Sequence, residues 1–94
     1  MRLSTRVRFG LRIMIQIAAE GDNQPVLARR IAASQSISGA YVDQILVPLR
    51  AGGLLRSQRG PRGGFQLARP ADEITVLDIV EGPTPEVDHF AAKM

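Results

Sequence analysis

Arginine is the residue type in this sequence with the clearest chemical use. Residues 1–70 hold eleven arginines and three acidic residues, a net charge of +8, whereas residues 71–94 carry a net charge of −5. A planar guanidinium donates two parallel hydrogen bonds to a phosphate, which the point charge of a lysine does not. One interpretation is that these arginines form only a solvated surface. The uneven distribution instead favours a polyanionic partner.

Two short segments combine residue types that bind nucleic acid. The first contains Ser38, Ala40, Tyr41, Asp43 and Gln44; the second is Arg59-Gly60-Pro61-Arg62-Gly63-Gly64. An amide such as that of Gln44 can bind adenine through two hydrogen bonds, and a carboxylate can accept one from cytosine. Arginines on a thin, glycine-rich hairpin can enter a narrow minor groove. The alternatives are the polar face of a solvated helix and a hairpin with incidental arginines. A P-loop is not predicted, because the second segment lacks the Gly-Lys-Ser/Thr ending.

Three helices are predicted to position the first segment. A helix over residues 5–20 begins with Ser4 or Thr5 as its cap and ends at Gly21. A short helix over residues 27–35 is broken at Ser36-Ile37, and Ser38 caps a further helix that runs to about residue 51. The inward residues of that helix follow the i, i+3, i+4, i+7 rule, and they are Val42, Ile45, Leu46 and Leu49. A short helix, a tight turn and a longer helix are the outline of a helix-turn-helix.

A β-hairpin is predicted to position the second segment. Residues 54–59 and 65–69 resemble strands on either side of the glycine-rich tip. Thr75 and Asp78 form a candidate capping box for a last helix, which ends at Gly82-Pro83. The expected fold is mainly α with a small β-hairpin (α+β), a winged helix-turn-helix over residues 1–82. Residues 83–94 are expected to be a short, acidic, flexible tail.

The first helix has an unusually wide apolar surface. Arg8, Arg12 and Gln16 share one narrow face, and apolar side chains cover the remaining arc of roughly 240°. One core requires little more than 100° of apolar stripe, so we expect a second partner. A second subunit is favoured, with Phe9, Ile13 and Ile17 at the interface. The alternative is a helix wrapped entirely by its own core.

Several classes of function are excluded by what the sequence lacks. It has no cysteine and one histidine, so we expect no metal site, iron–sulfur cluster or other cofactor. No nucleophile–base pair is recognisable, and an enzyme is not predicted. No apolar run is long enough to span a membrane, so we expect no membrane association and a cytoplasmic location.

The order of several motifs resembles a known family. These motifs are Met1-Arg2-Leu3-Ser4-Thr5, Phe9-Gly10-Leu11-Arg12, Ile31-Ala32, Ile37-Ser38, Tyr41-Val42-Asp43-Gln44-Ile45-Leu46, Leu49-Arg50-Ala51-Gly52-Gly53-Leu54 and Arg59-Gly60-Pro61-Arg62-Gly63-Gly64-Phe65-Gln66-Leu67-Ala68. Over residues 1–82 the sequence is similar to the Rrf-two family of bacterial winged-helix transcription regulators. That family includes the iron–sulfur cluster regulator and the nitric-oxide-sensing repressor.

The resemblance implies a homodimer that binds palindromic operator DNA and acts as a repressor. It implies that the helix after Ser38 lies in the major groove, with Asp43 and Gln44 at base-reading positions. The wing then lies in the minor groove, with Arg59 as its reading arginine. Family members often have glutamate where Asp43 stands, so its shorter side chain reads a different base or none.

The cluster-binding members of the family carry features that this sequence lacks. They have three cysteines beyond the wing and a long helix that crosses to the partner subunit. We therefore expect a short member, a shortened form or a degenerate copy, without the cluster. The alternative function is a winged-helix module that binds a full-length relative or another protein instead of DNA.

Overall fold

The computed structural model describes residues 4–21 and 24–81. Within these ranges the chain forms four helices and one two-stranded hairpin, which confirms the mainly α fold with a β-hairpin. The helices are α1 (Thr5–Glu20), α2 (Ala28–Gln35), α3 (Gly39–Ala51) and α4 (Val76–Glu81), with a 3₁₀ turn at Ala71–Glu73. The strands are β1 (Leu55–Gln58) and β2 (Gly64–Leu67).

The helices begin and end where local hydrogen bonds satisfy their free backbone groups. The hydroxyl of Ser4 accepts from the Val7 amide and that of Ser38 accepts from the Tyr41 amide, each at 3.1 Å. Gly21 ends α1, and Ser36 ends α2 in the left-handed conformation at φ 57°. The predicted caps of α1 and α3 and the break at Ser36 are confirmed. Within the helix-turn-helix, these features fix where α2 ends and where α3 begins.

A capping box begins α4, as the sequence predicts. The Thr75 amide donates to Asp78 Oδ2 at 2.9 Å, and the Asp78 amide donates to Thr75 Oγ1 at 3.1 Å. Arg69 adds an ion pair to the same Asp78 oxygen at 3.1 Å. These hydrogen bonds to Thr75, followed by the charge of Arg69, lower the pKa of the Asp78 carboxyl.

The hairpin is shorter than predicted and pairs with a third segment. Its strands are antiparallel, with Leu55 opposite Leu67 and Gln58 opposite Gly64. The Val26 amide donates to the Phe65 carbonyl at 2.9 Å, and the Phe65 amide donates back to the Val26 carbonyl at 2.8 Å. The segment before α2 therefore anchors the wing to the helices.

The core lies between α1, α2, α3 and the base of the hairpin. Its fully buried large side chains are Ile13, Ile17, Ile31, Val42, Ile45, Leu46 and Leu49. The inward face predicted for α3 is confirmed.

The predicted subunit interface on α1 needs correction. Ile13 and Ile17 are 0% and 1% exposed in their own chain, so neither can meet a second subunit without unfolding. Phe9 is half-buried and packs against the same core. A helical wheel gives the width of an apolar arc but does not show how much of it the chain itself covers.

Gln16 also differs from expectation, since it is buried instead of sharing a solvated face with Arg8 and Arg12. Its side chain accepts a hydrogen bond from Gln35 at 3.1 Å and donates to Glu20 at 3.3 Å. These bonds satisfy the amide, which explains how a polar side chain is tolerated between α1 and α2.

Part of the apolar surface of α1 remains uncovered. Ile15 is 68% exposed, and Val76 and Leu77 of the neighbouring α4 are 61% and 63% exposed. A shallow apolar groove of about 160 Å³ runs beside Ile15, between α1 and the residues around α4. We call these three side chains and the groove the α1–α4 patch.

None of the described helices is long and apolar enough to cross a membrane. The predicted tail, residues 83–94, lies outside the described residues.

Candidate nucleic-acid interface

The solvent-facing side of α3 carries the first predicted segment. Ala40, Asp43 and Gln44 are exposed, while the opposite face of the helix is anchored in the core. Ser38 is exposed too, but its hydroxyl is engaged in capping the helix. The helix therefore presents a carboxylate and an amide on a rigidly packed support, and such an element fits a major groove of ~12 Å width.

The N-terminal part of α1 packs against this side of α3. Arg6 Nη2 donates to Gln44 Oε1 at 3.2 Å. The rings of Phe9 and Tyr41 meet edge to face, with centroids 5.8 Å apart and an interplanar angle of 85°. The guanidinium of Arg12 lies 5.4 Å from the Phe9 ring centroid, a cation–π geometry. Tyr41 is consequently half-buried, and its ring supports α3 from the α1 side.

A polar network positions α2, the first helix of the helix-turn-helix. Arg30 pairs with Glu20 of α1 at 2.6 Å, and Gln35 bonds to the buried Gln16. The hydrogen bond from Arg30 lowers the pKa of the Glu20 carboxyl, and the same contact raises the pKa of Arg30. Both ends of α2 are thus tied to α1, and the neighbouring Arg29 is exposed.

The wing presents arginines at its tip. Arg59 and Arg62 are exposed, and neither has an ion-pair partner within residues 4–21 and 24–81. Gly60 adopts φ 108°, and the Gly63 amide donates to the Gly60 carbonyl at 2.9 Å to close the turn. These unpaired guanidinium groups are available for phosphate or a groove.

Gly63 and Gly64 have structural reasons for being glycine. A Cβ at Gly63, which is buried, would overlap the carbonyl of Gln58, and a Cβ at Gly64 would overlap the backbone of Val26. The sequence predicts both as residues of a DNA-contacting tip. Their positions inside the hairpin account for both glycines without any ligand.

The wing and α3 are linked directly. Arg50 near the end of α3 donates from Nη1 to the hydroxyl of Ser57 in β1 at 3.2 Å. The Leu54 amide donates to the Leu49 carbonyl at 3.0 Å. These contacts fix the base of the hairpin relative to the C-terminal part of α3.

Sequence reasoning missed Arg6 and Phe9 as parts of this surface. Both contacts join residues far apart in the chain, 38 positions in the case of Arg6 and Gln44. A weak signal exists in the spacing. Arg6 and Phe9 are three residues apart on α1, as Tyr41 and Gln44 are on α3, and residues at that spacing share a helix face.

The family comparison agrees with the fold. The model of the Rrf2 family, described as an iron-dependent transcriptional regulator, matches residues 3–90. The residues of this chain do not fit a thiolate-held iron cluster, because the sequence has no cysteine. Residues 4–21 and 24–81 also contain no group of three or more acidic or histidine side chains placed to hold a metal ion.

Individual relatives give the same result. The chain is 42% identical over 80 residues to the protein rrf2 of Nitratidesulfovibrio vulgaris. This alignment covers 85% of this chain and 53% of that protein. It is 40% identical over 91 residues to the HTH-type transcriptional regulator CymR of Bacillus subtilis, covering 94% of this chain and 66% of that protein. The solved structure of CymR, the global cysteine regulator of B. subtilis, superposes with a TM-score of 0.83 at 38% identity, covering 87% of this chain and 64% of that one.

The chain thus spans about half to two thirds of the length of these relatives. The family model nevertheless matches nearly the whole of the chain, from residue 3 to residue 90. The sequence motifs, the winged helix-turn-helix and these matches together establish that the chain belongs to the Rrf2 family.

Proposed function

We propose that this chain is the DNA-binding part of a transcription regulator that binds a palindromic operator as a homodimer and represses transcription. The observation that carries the proposal is the exposed polar side of α3 together with the arginine-bearing wing that is attached to the same helix. The HTH-type regulator CymR, with the same fold, supports it.

The proposal gives α3 the role of reading bases in the major groove. Asp43 and Gln44 are exposed and project from a helix whose other face is buried, so they reach base edges without rearrangement of the core. Ala40 is small enough to let the helix approach closely, and Phe9 of α1 supports the helix through the Tyr41 ring. Contacts to base edges carry sequence information, whereas phosphate contacts carry none directly.

The wing has the complementary role of anchoring the complex. Arg59 and Arg62 face solvent, and the hairpin that carries them is thin. Guanidinium groups inserted into a narrow minor groove gain from its enhanced negative potential. Together with Arg29 of α2, they supply affinity that is largely independent of sequence.

The dimer is assigned to the α1–α4 patch, in place of the buried Ile13 and Ile17. Exposed Ile15, Val76 and Leu77 lie on two helices that pack against each other. A two-fold axis through such a patch pairs the patch of one subunit with the same patch of the other. The dimer then presents two α3 helices related by that axis, and this symmetry matches the two half-sites of a palindrome. Repression follows where that site overlaps a promoter.

Titrations with two variants test the proposal. Labelled duplexes selected from a randomised library are compared with an unselected duplex at several salt concentrations. Gln44→Ala should cost ~1–3 kcal/mol on the selected duplex and little on the other. Arg59→Ala should weaken binding to both and reduce the salt slope by about one.

The control is Glu73→Gln, which removes a charge from the 3₁₀ turn outside the proposed surface. It should leave the difference between the two duplexes unchanged. Wild-type protein that elutes from a heparin or DNA column at low salt and shows no preference for selected DNA contradicts the proposal. That result favours the alternative, a winged-helix module that binds a protein partner.

A further inference from the structure

The amide of Gln44 is not free to present both of its polar atoms. Its oxygen, Oε1, accepts a hydrogen bond from Arg6 Nη2 at 3.2 Å. A guanidinium carries only donors, so it can bond to the oxygen of an amide and not to the NH₂ group. The chemistry of Arg6 therefore fixes which way the amide points, with Nε2 directed away from Arg6.

The position of Arg6 depends on more than this one hydrogen bond. One helical turn further along α1, Phe9 meets the Tyr41 ring edge to face at 5.8 Å. The guanidinium of Arg12 lies over the same Phe9 ring, 5.4 Å from its centroid. The two pairs, Arg6 with Gln44 and Phe9 with Tyr41, lie side by side where α1 meets α3, so the aromatic contact keeps Arg6 beside Gln44.

We propose that Arg6 is a specificity-determining residue that makes Gln44 read DNA as a donor. The inference rests on the proposed function and deepens it, because it names the base that the helix prefers. An amide that presents mainly its two hydrogens matches guanine, which offers two acceptors in the major groove, N7 and O6. Adenine needs both amide atoms, since its N6 amino group must donate to an amide oxygen while its N7 accepts.

The charge of Arg6 acts in the same direction. A second lone pair remains on Oε1, but the adenine amino group would have to donate to it beside a cation that already donates there. The electronegative edge of guanine is attracted to that cation. Gln44 in isolation predicts a preference for adenine, whereas Gln44 beside Arg6 prefers guanine.

Folding should depend little on this contact. The hydrogen bond is exposed, and hydrogen bonds between exposed side chains contribute little to stability in water. Circular dichroism of Arg6→Ala should show an unfolding temperature close to that of the wild type, and base preference is compared at a temperature at which both chains are folded.

The experiment compares base preference at one position of the binding site. A randomised duplex library is selected with the wild-type chain, and the position that Gln44→Ala relaxes is identified. Affinities are then measured for duplexes with each of the four base pairs at that position. The wild type should favour guanine over adenine, and Arg6→Ala should reduce this ratio about fivefold or more, the lower range for one bidentate contact.

Two controls separate reading from general electrostatics. Arg8→Ala removes an exposed charge from the same helix and should weaken all four duplexes alike. In a Gln44→Ala background, Arg6→Ala should leave the ratio unchanged.

Four results overturn the inference while leaving DNA binding intact. They are a wild-type preference for adenine at that position, no position relaxed by Gln44→Ala, an unchanged ratio in Arg6→Ala, and an equal change of ratio in Arg8→Ala. Failure of the proposed function looks different, because then the wild-type chain selects no sequence at all.

Discussion

Gly64 is a residue at which the wing closely approaches the backbone of Val26. Its φ is +145°, a conformation that side chains rarely adopt, and the Val26 backbone occupies the space of its missing Cβ. The two hydrogen bonds between Val26 and Phe65 hold this approach in place. Glycine at this position is therefore required by the attachment of the hairpin.

Gly64→Ala should destabilise the fold by more than about 2 kcal/mol, because the strained φ and the overlap with Val26 add together. Urea unfolding followed by circular dichroism measures this. The matched control is Gly39→Ala at the start of α3, where a Cβ meets nothing within 4 Å. That variant should be neutral or slightly more stable, since alanine favours helix. Equal stability of the two variants would show that the wing does not need this approach.

At the scale of elements, the helices were predictable because their signals are local. Ser4, Ser38 and the Thr75–Asp78 pair cap backbone groups within three residues of themselves. The third segment of the sheet was not predictable in the same way. Val26 pairs with Phe65, which is distant from it in the sequence, and no neighbouring residue signals that pairing.

The candidate site divides along the same line. The exposed position of Gln44 is predictable from its place on the helix, and that of Arg59 from the turn-forming residues beside it. Both side chains are exposed in the structure. The support of α3 by Arg6 and Phe9 depends on how α1 crosses α3. The core decides that crossing, and helical periodicity does not encode it.

The capping box makes the start of α4 sensitive to pH. The pKa of Asp78 is lowered in the folded chain from its ordinary value of 3.8, chiefly by the hydrogen bonds to Thr75. The unfolded chain therefore binds more protons than the folded chain just below that value. The stabilisation is present above pH 3.8 and is lost as the pH falls through the lower, folded value.

Asp78→Asn tests this contribution directly. Asparagine keeps an acceptor for the Thr75 amide but does not titrate, so the variant should lose less stability than the wild type between pH 5 and pH 2. Thermal unfolding across this range, with Asp72→Asn as a control in the 3₁₀ turn, gives the comparison. If stability falls with decreasing pH as steeply in Asp78→Asn as in the wild type, the protonation of Asp78 does not contribute to the pH dependence of unfolding. The salt bridge of Glu20 with Arg30 also makes stability fall as the pH is lowered, and it does so equally in every variant.

At the scale of the molecule, exposed apolar side chains concentrate on one pair of helices. Three of the large, exposed apolar residues of the described chain lie on α1 and α4, and the remaining one, Val47, lies on α3. A large exposed apolar patch marks an interaction surface more often than a scattered apolar residue does. The α1–α4 patch is thus the place to test self-association.

Ile15→Glu should convert the proposed dimer to a monomer that remains folded. Ile15 is 68% exposed, so the substitution costs the isolated chain little. In a dimer it buries an unpaired charge, which costs about 3 kcal/mol or more and weakens association at least about a hundredfold. Sedimentation equilibrium over a range of concentrations measures the change. Val47→Glu, 59% exposed on α3, is the matched control and should leave association unchanged.

Ile13→Asp should behave differently from both, because it places a charge in the core and unfolds the chain itself. A wild type that stays monomeric at high concentration, or an Ile15→Glu variant that associates as the wild type does, would rule out this patch as the dimer surface.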